Sequence, residues 1–258
     1  MKEGQEQKRI VAIVPAAGLG KRFGTDTNKP FQSLGGKPLI IWSLETLESV
    51  HEIEEIIPVL KVEDMEYGQK IFKKYNISKI RRIAPGGKER QDSVYNGLRL
   101  IKNTDCLVLI HDGVRPFIEK ELIEKAIQEL LTSSVSPFPH SGGFTEAKAN
   151  GVDGGIDGVV LGVPVKDTIK EAEGGIIKKT LKRGSLWAIQ TPQIFPYDKI
   201  IHAYEKAMEE GFYSTDEAAL IEKYGGKIMI VIGSYKNIKI TTPEDMQIAK
   251  IFHLKERR

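Results

Sequence analysis

The segment IVPAAGLGKRFGTDTNKP, residues Ile13–Pro30, joins an apolar run to a turn of small residues and cations. Two alanines and the tripeptide Gly18-Leu19-Gly20 follow the run, and Arg22 and Lys29 come after the turn. Small residues let backbone N–H groups approach an anion closely, and arginine and lysine side chains bind phosphate oxygens. The segment therefore predicts a buried strand that ends in a phosphate-binding loop.

Two familiar phosphate-binding loops do not fit this segment. The Walker loop requires Ser or Thr after its Gly-Lys pair, and Arg22 stands at that position. The dinucleotide-binding fingerprint requires a third glycine for close helix–strand packing, and Phe23 stands at that position. A Gly-x-Gly pair alone is equally consistent with a surface turn, so the rest of the chain must decide between the two interpretations.

Short apolar runs alternate along the chain with stretches of helical periodicity. The runs are residues 9–15, 53–60, 106–112 and 158–165, and the helical stretches are residues 38–50, 65–75, 92–101 and 120–131. This alternation predicts an α/β fold with a Rossmann-like, mainly parallel sheet and helices on both faces. Because ligands of such sheets bind beyond the carboxyl ends of the strands, we expect the loops after Pro15, Ile83 and Ile110 to form one site.

Two segments interrupt this alternation within what we interpret as a single domain, residues 1–258. Residues 133–158 are rich in Gly, Pro and Ser, and an insertion of this length and composition predicts a mobile loop. Residues 164–190 hold two short extended runs around Gly174-Gly175, which is typical of a β-hairpin. A two-stranded arm cannot bury itself, so we expect it to protrude and to pack against the second subunit of a homodimer.

The composition excludes several classes of partner. The 258 residues include 38 Lys and Arg against 35 Asp and Glu, and the formal charge of +3 is too balanced for a nucleic-acid or membrane-surface binder. No apolar stretch approaches the ~20 residues of a membrane span, and the first residues, MKEGQEQKR, contain no apolar signal core. Cys106 is the only cysteine, which excludes an intrachain disulfide and fits a reducing compartment. We therefore expect a cytoplasmic protein that acts on small molecules.

Further motifs along the chain define a resemblance to a known family. Gly18, Gly20, Arg22, Lys29 and Pro30 form a Gly-x-Gly-x-Arg loop followed by Lys-Pro, which resembles the signature of the sugar-nucleotide pyrophosphorylases. Six motifs follow in order: GGKERQDSVYNGL (86–98), HDGVRPF (111–117), PVKDTIK (164–170), TPQIF (191–195), TDEA (215–218) and NIKITTPEDMQIA (237–249). Together they resemble the 2-C-methyl-D-erythritol 4-phosphate cytidylyltransferases from about residue 9 to residue 252, outside the insertion.

The resemblance implies a cytidylyl transfer. The phosphate of 2-C-methyl-D-erythritol 4-phosphate attacks the α-phosphorus of CTP and yields 4-diphosphocytidyl-2-C-methyl-D-erythritol and pyrophosphate, a step of non-mevalonate isoprenoid biosynthesis. The resemblance implies that Arg22 and Lys29 stabilise the charge on the α- and β-phosphates, and that Arg183 and Lys239 orient the acceptor for attack. It also implies Mg2+ as the cofactor, held by Asp112, which ends an apolar strand and offers the hard oxygen ligand that this cation prefers.

The resemblance also implies two sets of binding residues. CTP is expected to contact Ala16, Ala17, Gly18, Gly20, Gly87, Lys88, Ser93 and Arg115. The acceptor is expected to contact Thr168, Arg183, Thr191, Thr215 and Lys239. Thr168 and Arg183 lie in the predicted arm, so each would complete the site of the partner subunit.

Several of these positions have an equally simple structural interpretation. Ser93, or Asp92 beside it, is expected to cap the third helical stretch, and Arg115 is equally suited to a structural ion pair. Asp245, in TPED before a helical stretch, is interpreted as a residue of the helix start. Arg90 is assigned to the structure of its loop and is left out of the predicted site.

Three other functions stay open. The form HDGVRPF departs from the His-Asp-Ala-Ala-Arg-Pro form that is typical of the family, and a similar variation occurs in ribitol-5-phosphate cytidylyltransferases, the nearest alternative. Lys88 stands where an acidic residue is expected, which changes the base preference if its side chain contacts the base. A non-catalytic nucleotide-binding protein is disfavoured because binding alone does not require all the catalytic cations and the carboxylate. A dinucleotide-dependent oxidoreductase is disfavoured by the missing third glycine.

Overall fold

The computed structural model describes residues 8–18, 29–133 and 155–256, which form eleven strands and seven helices. The strands are β1 (Ile10–Pro15), β2 (Ser33–Leu34), β3 (Lys37–Pro38), β4 (Ile53–Leu60), β5 (Ala84–Pro85), β6 (Leu107–Ile110), β7 (Gly158–Pro164), β8 (Lys170–Glu173), β9 (Ile176–Thr180), β10 (Trp187–Pro196) and β11 (Ile228–Ile232). The helices are α1 (Leu39–Ser49), α2 (Met65–Lys74), α3 (Arg90–Leu98), α4 (Lys120–Ser133), α5 (Tyr197–Glu209), α6 (Glu217–Lys223) and α7 (Pro243–Glu256).

Seven strands form one sheet in the order β11-β7-β10-β6-β1-β4-β5. Strand β1 pairs in parallel with β4 and β6, β4 pairs in parallel with β5, and β7 pairs in parallel with β11. Strand β10 runs antiparallel to both of its neighbours, β6 and β7. The mainly parallel sheet that the sequence predicts is confirmed, with β10 as the antiparallel strand among the residues described.

Alternate residues of β1 face two different hydrophobic cores, which explains why the strand is apolar throughout. Ala12 and Val14 belong to a core that also contains residues of α1 and α4. Val11 and Ile13 belong to a second core, on the other face, with residues of α3 and α5. All four side chains are fully buried, and burial of a valine or isoleucine side chain contributes about 1.5–3 kcal/mol to stability. Helices therefore cover both faces of the sheet, as the sequence predicts.

The third helix corrects one prediction about helix capping. Helix α3 begins at Arg90 and has Glu89 at its N-cap position, so neither Asp92 nor Ser93 is the N-cap residue. Asp92 instead accepts a hydrogen bond from the N–H of Glu89 (2.9 Å), as the third helical residue of a capping box does. Helix α3 therefore begins at Arg90, two residues before the stretch of helical periodicity that the sequence shows.

The predicted hairpin is present, as the antiparallel pair β8 and β9. Gly174 and Gly175 connect the strands with φ values of 58° and 81°, a left-handed backbone that glycine adopts at little cost. Every residue of both strands is exposed, including Ile176 and Ile177 at 75% and 60%. The packing of this arm on a second subunit stays a prediction.

The predicted mobile loop lies largely outside the described residues. Among the helices of the described part, none has the length and apolar composition of a membrane span.

Candidate active site

The loops that follow the parallel strands meet at one rim of the sheet, as expected. The N–H groups of Ala16 and Gly86 both continue the pairing with β4, at 2.8 Å from the carbonyl oxygen of Val59 and 2.7 Å from that of Leu60. A side chain at Gly86 would meet the Cβ of Ala17 at 2.3 Å, so the two loops pack backbone to side chain and require a glycine here. The loop of β1 and the loop that precedes α3 are therefore direct neighbours.

A cavity of about 250 Å³ opens at this rim. Its walls contain Arg90, Asp112, Arg115, Ile189, Gln190, Thr191, Gln193, Thr215, Asp216 and Lys239. Five of these residues belong to the predicted site, namely Asp112, Arg115, Thr191, Thr215 and Lys239. The cavity wall thus brings together residues from distant parts of the chain, between positions 90 and 239. It contains both cationic and carboxylate side chains.

Asp112 lies at the centre of a charged group that we call the Asp112 cluster: Asp112, Arg90, Arg115 and Lys239. The carboxylate is buried, with Oδ1 at 3.3 Å from Arg90 Nε and Oδ2 at 3.3 Å from Arg115 Nε and 3.0 Å from Lys239 Nζ. Burial alone would raise the pKa of Asp112, but the charges of Arg90, Lys239 and Arg115 outweigh it and hold that pKa well below its usual value. The carboxylate is therefore ionised throughout the physiological range.

Arg90 connects the cluster to a second buried carboxylate. Its Nη1 and Nη2 atoms lie 2.5 and 3.0 Å from the two carboxylate oxygens of Glu217, which is 1% exposed. The hydroxyl of Tyr204 donates a further hydrogen bond to Glu217 (2.9 Å). Burial opposes the charge of Arg90, but Glu217 and Asp112 outweigh it and raise the pKa of the guanidinium. The sequence interpretation placed Arg90 outside the site, whereas the structure places it in the cavity wall.

Arg115 forms the structural ion pair that the sequence left open, and it also lines the cavity, whereas its contact with CTP stays a prediction. Besides its pair with Asp112, its Nη1 donates to the backbone carbonyl of Asn237 (2.8 Å). It is 8% exposed and still contributes to the cavity wall. The Arg115 side chain therefore forms a structural ion pair and also contributes a cation to the cavity wall.

His111 and Thr191 form a neutral hydrogen-bonded pair behind Asp112. The hydroxyl of Thr191 accepts the N–H of Asp112 (3.0 Å) and lies 3.1 Å from Nδ1 of His111, which is fully buried. Burial lowers the pKa of His111 to about 4, so the imidazole is neutral at pH 7. Nε2 of His111 lies 3.4 Å from the carbonyl oxygen of Arg115, which can only accept, so the ring hydrogen is on Nε2 and Nδ1 accepts a hydrogen bond from the Thr191 hydroxyl. This arrangement fixes the backbone at Asp112 and fits a structural role for His111.

Ser93 stabilises the loop before α3 through hydrogen bonds within the loop. Ser93 is 4% exposed, its hydroxyl oxygen accepts the N–H of Gly87 (3.0 Å), and the hydroxyl donates to the carbonyl of Glu89 (3.0 Å). Lys88 is exposed. The loop therefore presents backbone groups and leaves the Lys88 side chain in solvent.

The remaining predicted residues do not line the cavity in the part of the chain that the structure describes. Thr168 and Arg183 are exposed on the arm, where Arg183 Nη1 donates to the carbonyl of Lys166 (3.0 Å). Lys29 begins a short 3-10 turn, Lys29–Phe31. Gly18 is exposed and is the last described residue of its loop. Gly20 and Arg22 lie outside the described residues.

Two carboxylates that the sequence analysis did not include in the site have structural partners. Asp216 accepts the N–H of Ala219 (3.0 Å) as the N-cap of α6, and it accepts a hydrogen bond from Gln193 (2.9 Å). Asp245 accepts the N–H groups of Thr241 (2.7 Å) and Thr242 (2.8 Å) before α7. The helix-start interpretation of Asp245 is confirmed, and Asp216 is a cap whose side chain also reaches the cavity wall.

The chain with this Rossmann-like sheet and rim cavity belongs to the nucleotidyltransferases, as comparison with known proteins shows. The chain matches the family model described as IspD, 2-C-methyl-D-erythritol 4-phosphate cytidylyltransferase, over residues 10–152 and 145–255. The chain belongs to this family.

Individual relatives agree with this assignment. The 2-C-methyl-D-erythritol 4-phosphate cytidylyltransferase of Geotalea uraniireducens is 40% identical over 247 residues, which cover 95% of this chain and 96% of the relative. The protein of the same name from Clostridioides difficile is 43% identical over 247 residues, which cover 95% and 94%. The crystal structure of 4-diphosphocytidyl-2C-methyl-D-erythritol synthase from Anaerococcus prevotii is similar with a TM-score of 0.78 at 33% identity, covering 96% of this chain and 97% of that one.

Proposed function

We propose that the chain transfers a cytidylyl group from CTP to 2-C-methyl-D-erythritol 4-phosphate, with release of pyrophosphate, at the rim cavity. The observation that carries the proposal is the Asp112 cluster, in which three cations from separate segments surround one buried carboxylate in the cavity wall. The names of the relatives support the choice of nucleotide and acceptor.

The reaction requires that the protein neutralise the phosphate charges and align the two substrates, and it does not require a nucleophile from the protein. The acceptor phosphate and the triphosphate repel each other, so the site must supply positive charge and hold the attacking oxygen in line with the leaving pyrophosphate. Lys239 is the most exposed cation of the Asp112 cluster, with 38% of its side chain accessible against 29% for Arg90 and 10% for Arg115. We assign Lys239 to the acceptor phosphate because it can leave Asp112 with the least loss of packing.

The triphosphate is assigned to the loop after β1. Arg22 and Lys29 would stabilise the charge that develops on the α- and β-phosphates, and the backbone of the Ala16–Gly18 segment would approach those oxygens closely. The contact between Ala17 and Gly86 supports this assignment, because it sets the triphosphate loop beside the Gly87–Ser93 loop that would bind cytosine. Since Lys88 is exposed in that loop, its departure from an acidic residue is expected to have little effect on base preference.

We also propose that Asp112 holds Mg2+. Among the described residues, no group of three or more His, Cys, Asp or Glu side chains could hold a metal. Mg2+ does not need such a group, because one or two carboxylates with substrate phosphates and water complete its coordination. The contacts from Arg90 and Arg115 to Asp112 are long, at 3.3 Å, and Lys239, at 3.0 Å, is the cation that we assign to the acceptor, so the carboxylate has lone pairs for a metal ion. When bound, the ion would polarise the phosphoryl oxygens.

The arm is assigned to a homodimer in which each subunit completes the site of the other. Its exposed Ile176 and Ile177 support this assignment, because an isolated two-stranded hairpin is not stable by itself. Thr168 and Arg183, on the same arm, would then reach the acceptor of the partner subunit.

A side-by-side assay tests the proposed function. The purified protein is incubated with Mg2+ and CTP, with either 2-C-methyl-D-erythritol 4-phosphate or ribitol 5-phosphate, and pyrophosphate release is measured. We expect release with the first acceptor and at least about tenfold less with the second or when UTP replaces CTP, the scale of one lost specific contact. Preference for ribitol 5-phosphate would contradict the proposed acceptor, and release with neither acceptor would contradict the proposed activity.

A further inference from the structure

Three consecutive residues at the start of α3 bind the segment that leads into α6. Gln91, which is 6% exposed, accepts the N–H of Ser214 (2.9 Å) and donates to the carbonyl of Phe212 (2.9 Å). Asp92 accepts a hydrogen bond from Tyr213 (3.2 Å). Arg90 makes its two-bond pair with Glu217 beyond them. The start of α3 and residues 212–217 are thus connected along their whole length.

Thr215 and Asp216 lie between two of these attachment points. Ser214, on one side, is fixed to Gln91, and Glu217, on the other side, is fixed to Arg90. Both intervening residues line the cavity. The Nε atom of the same Arg90 guanidinium lies 3.3 Å from Asp112, which also lines the cavity. One planar group with a fixed arrangement of donors therefore joins Asp112 to the segment that contains Thr215 and Asp216.

We propose that Arg90 and Glu217 are positioning residues for cytidylyl transfer, and that Tyr204 holds Glu217 in place for this purpose. The pair fixes Thr215 and Asp216, of which Thr215 is assigned to the acceptor, at a set distance from Asp112, the proposed Mg2+ ligand. The inference rests on the proposed function and adds to it, since neither the pair nor Tyr204 belongs to the residues assigned to substrate. An error of about 1 Å in such alignment can cost about 100-fold in rate.

The chain provides a matched control for this pair. Arg82 binds Glu55 through Nε at 2.9 Å and Nη2 at 2.7 Å, and Glu55 is 1% exposed. The exposed fractions of the two arginine side chains are also alike, 27% for Arg82 and 29% for Arg90. Arg82 and Glu55 do not line the rim cavity. A lysine at either arginine keeps the charge but loses the planar fork, so both substitutions remove the same interaction.

The experiment compares Arg90→Lys and Glu217→Gln with Arg82→Lys and Glu55→Gln. Steady-state kinetics with CTP and 2-C-methyl-D-erythritol 4-phosphate give kcat and both KM values, and urea unfolding gives stability. We expect kcat to fall about 10- to 100-fold for Arg90→Lys and Glu217→Gln, with the KM for CTP within about threefold of the wild type. For the two control variants we expect stability to fall but kcat to stay within about twofold, because their pair does not touch the cavity.

Two further variants separate positioning from folding. The double variant Arg90→Lys, Glu217→Gln should lose no more kcat than the worse single variant, because both changes break one unit. If Glu217→Gln does not fold, Tyr204→Phe removes only the hydroxyl bond to the Glu217 carboxylate and should still lower kcat about tenfold, the scale of one hydrogen bond to a charged group. Its control is Tyr95→Phe. Tyr95 stacks on Tyr204 with ring centroids 6.0 Å apart, and this substitution removes a hydroxyl but keeps the stacked ring, so kcat should stay unchanged.

The outcomes distinguish this inference from the proposed function. If the wild type releases no pyrophosphate, the proposed function is wrong. If the wild type is active and Arg90→Lys and Glu217→Gln lose stability but keep kcat, as the control variants do, the pair is structural and the positioning role is wrong. Additive losses of kcat in the double variant would also contradict a single positioning unit.

Discussion

In the part of the chain that the structure describes, two buried glutamates are bound by arginines, one at each end of the sheet. Glu55 lies near the amino end of β4, and Arg9 and Arg82 bind its carboxylate. Glu217 opens α6 at the carboxyl rim, and Arg90 and Tyr204 bind its carboxylate. Both glutamates are 1% exposed, so the desolvation of the two carboxylates is alike.

The two pairs differ in what the arginine contacts next. Arg82 also donates to the backbone carbonyl of Leu100, so its contacts beyond Glu55 are structural. Arg90 instead directs its Nε–H to Asp112, whose carboxylate is in the cavity wall. Removing one partner of a buried ion pair at the amino end of a parallel sheet destabilises the fold, because the other charge is left buried and unpaired. The same chemistry at the carboxyl end, where ligands bind, is available to position a reaction.

Loss of the carboxylate at Asp112 is expected to have the largest effect. Asp112→Asn leaves Arg90, Arg115 and Lys239 facing one another without their shared anion and removes the proposed Mg2+ ligand. We expect kcat to fall about 10³-fold, the upper range for the loss of one preorganised electrostatic group. Pyrophosphate release at saturating CTP measures it. A variant with wild-type turnover would remove Asp112 from the mechanism.

Loss of a triphosphate-binding cation is the next largest effect, and it also tests the homodimer. Lys29→Ala should lower turnover about 10²-fold, and so should Arg183→Ala. If Arg183 acts in the partner subunit, a heterodimer of the two variants contains one intact site. Random mixing should then restore about a quarter of the wild-type activity, because half of the dimers are mixed and each has one working site. Mixed dimers without activity would show that Arg183 acts in its own subunit.

A stability measurement at the amino-end pair gives a smaller effect. Glu55→Gln should lower the free energy of unfolding by about 2 kcal/mol, the scale of hydrogen bonds to a charged group. The loss is not larger because Arg9 and Arg82 are 19% and 27% exposed and can be partly solvated. Urea unfolding followed by tryptophan fluorescence measures it. An unchanged midpoint would show that the amino-end pair contributes nothing to the fold.

The smallest effect is a change in thiol labelling that reports on the amino end alone. Burial raises the pKa of Cys106 to about 11, so the native thiol should react slowly with iodoacetamide at pH 8. Arg9 and Glu55 act electrostatically on this thiol. We expect faster labelling in Arg82→Lys and no change in Arg90→Lys, because only the first substitution loosens the amino end. Equal rates in the two variants would contradict the separation of the two regions.

The sequence predicts the sheet better than the walls of the cavity, and the reason is the range of the interactions. Asp112 is predictable as a residue of the rim because it comes two residues after the apolar strand β6. Arg90 and Glu217 are not, because the pair spans 127 positions and neither residue differs locally from a surface charge. The sequence signal that points to Arg90 is its position within the motif of residues 86–98. Strand β10 was not predicted as one element because its first half is partly exposed beside the arm and its second half is buried.

The most direct test of the account is a crystal structure with CTP and Mg2+. We expect the phosphates to lie at the carboxyl rim, with Lys29 and the backbone of Ala16–Gly18 against the triphosphate and the α-phosphorus beside Asp112. We also expect Arg90 to keep its contacts with both Glu217 and Asp112 in that complex. CTP bound away from this rim, or phosphates out of reach of Lys29 and Asp112, would contradict the central claim.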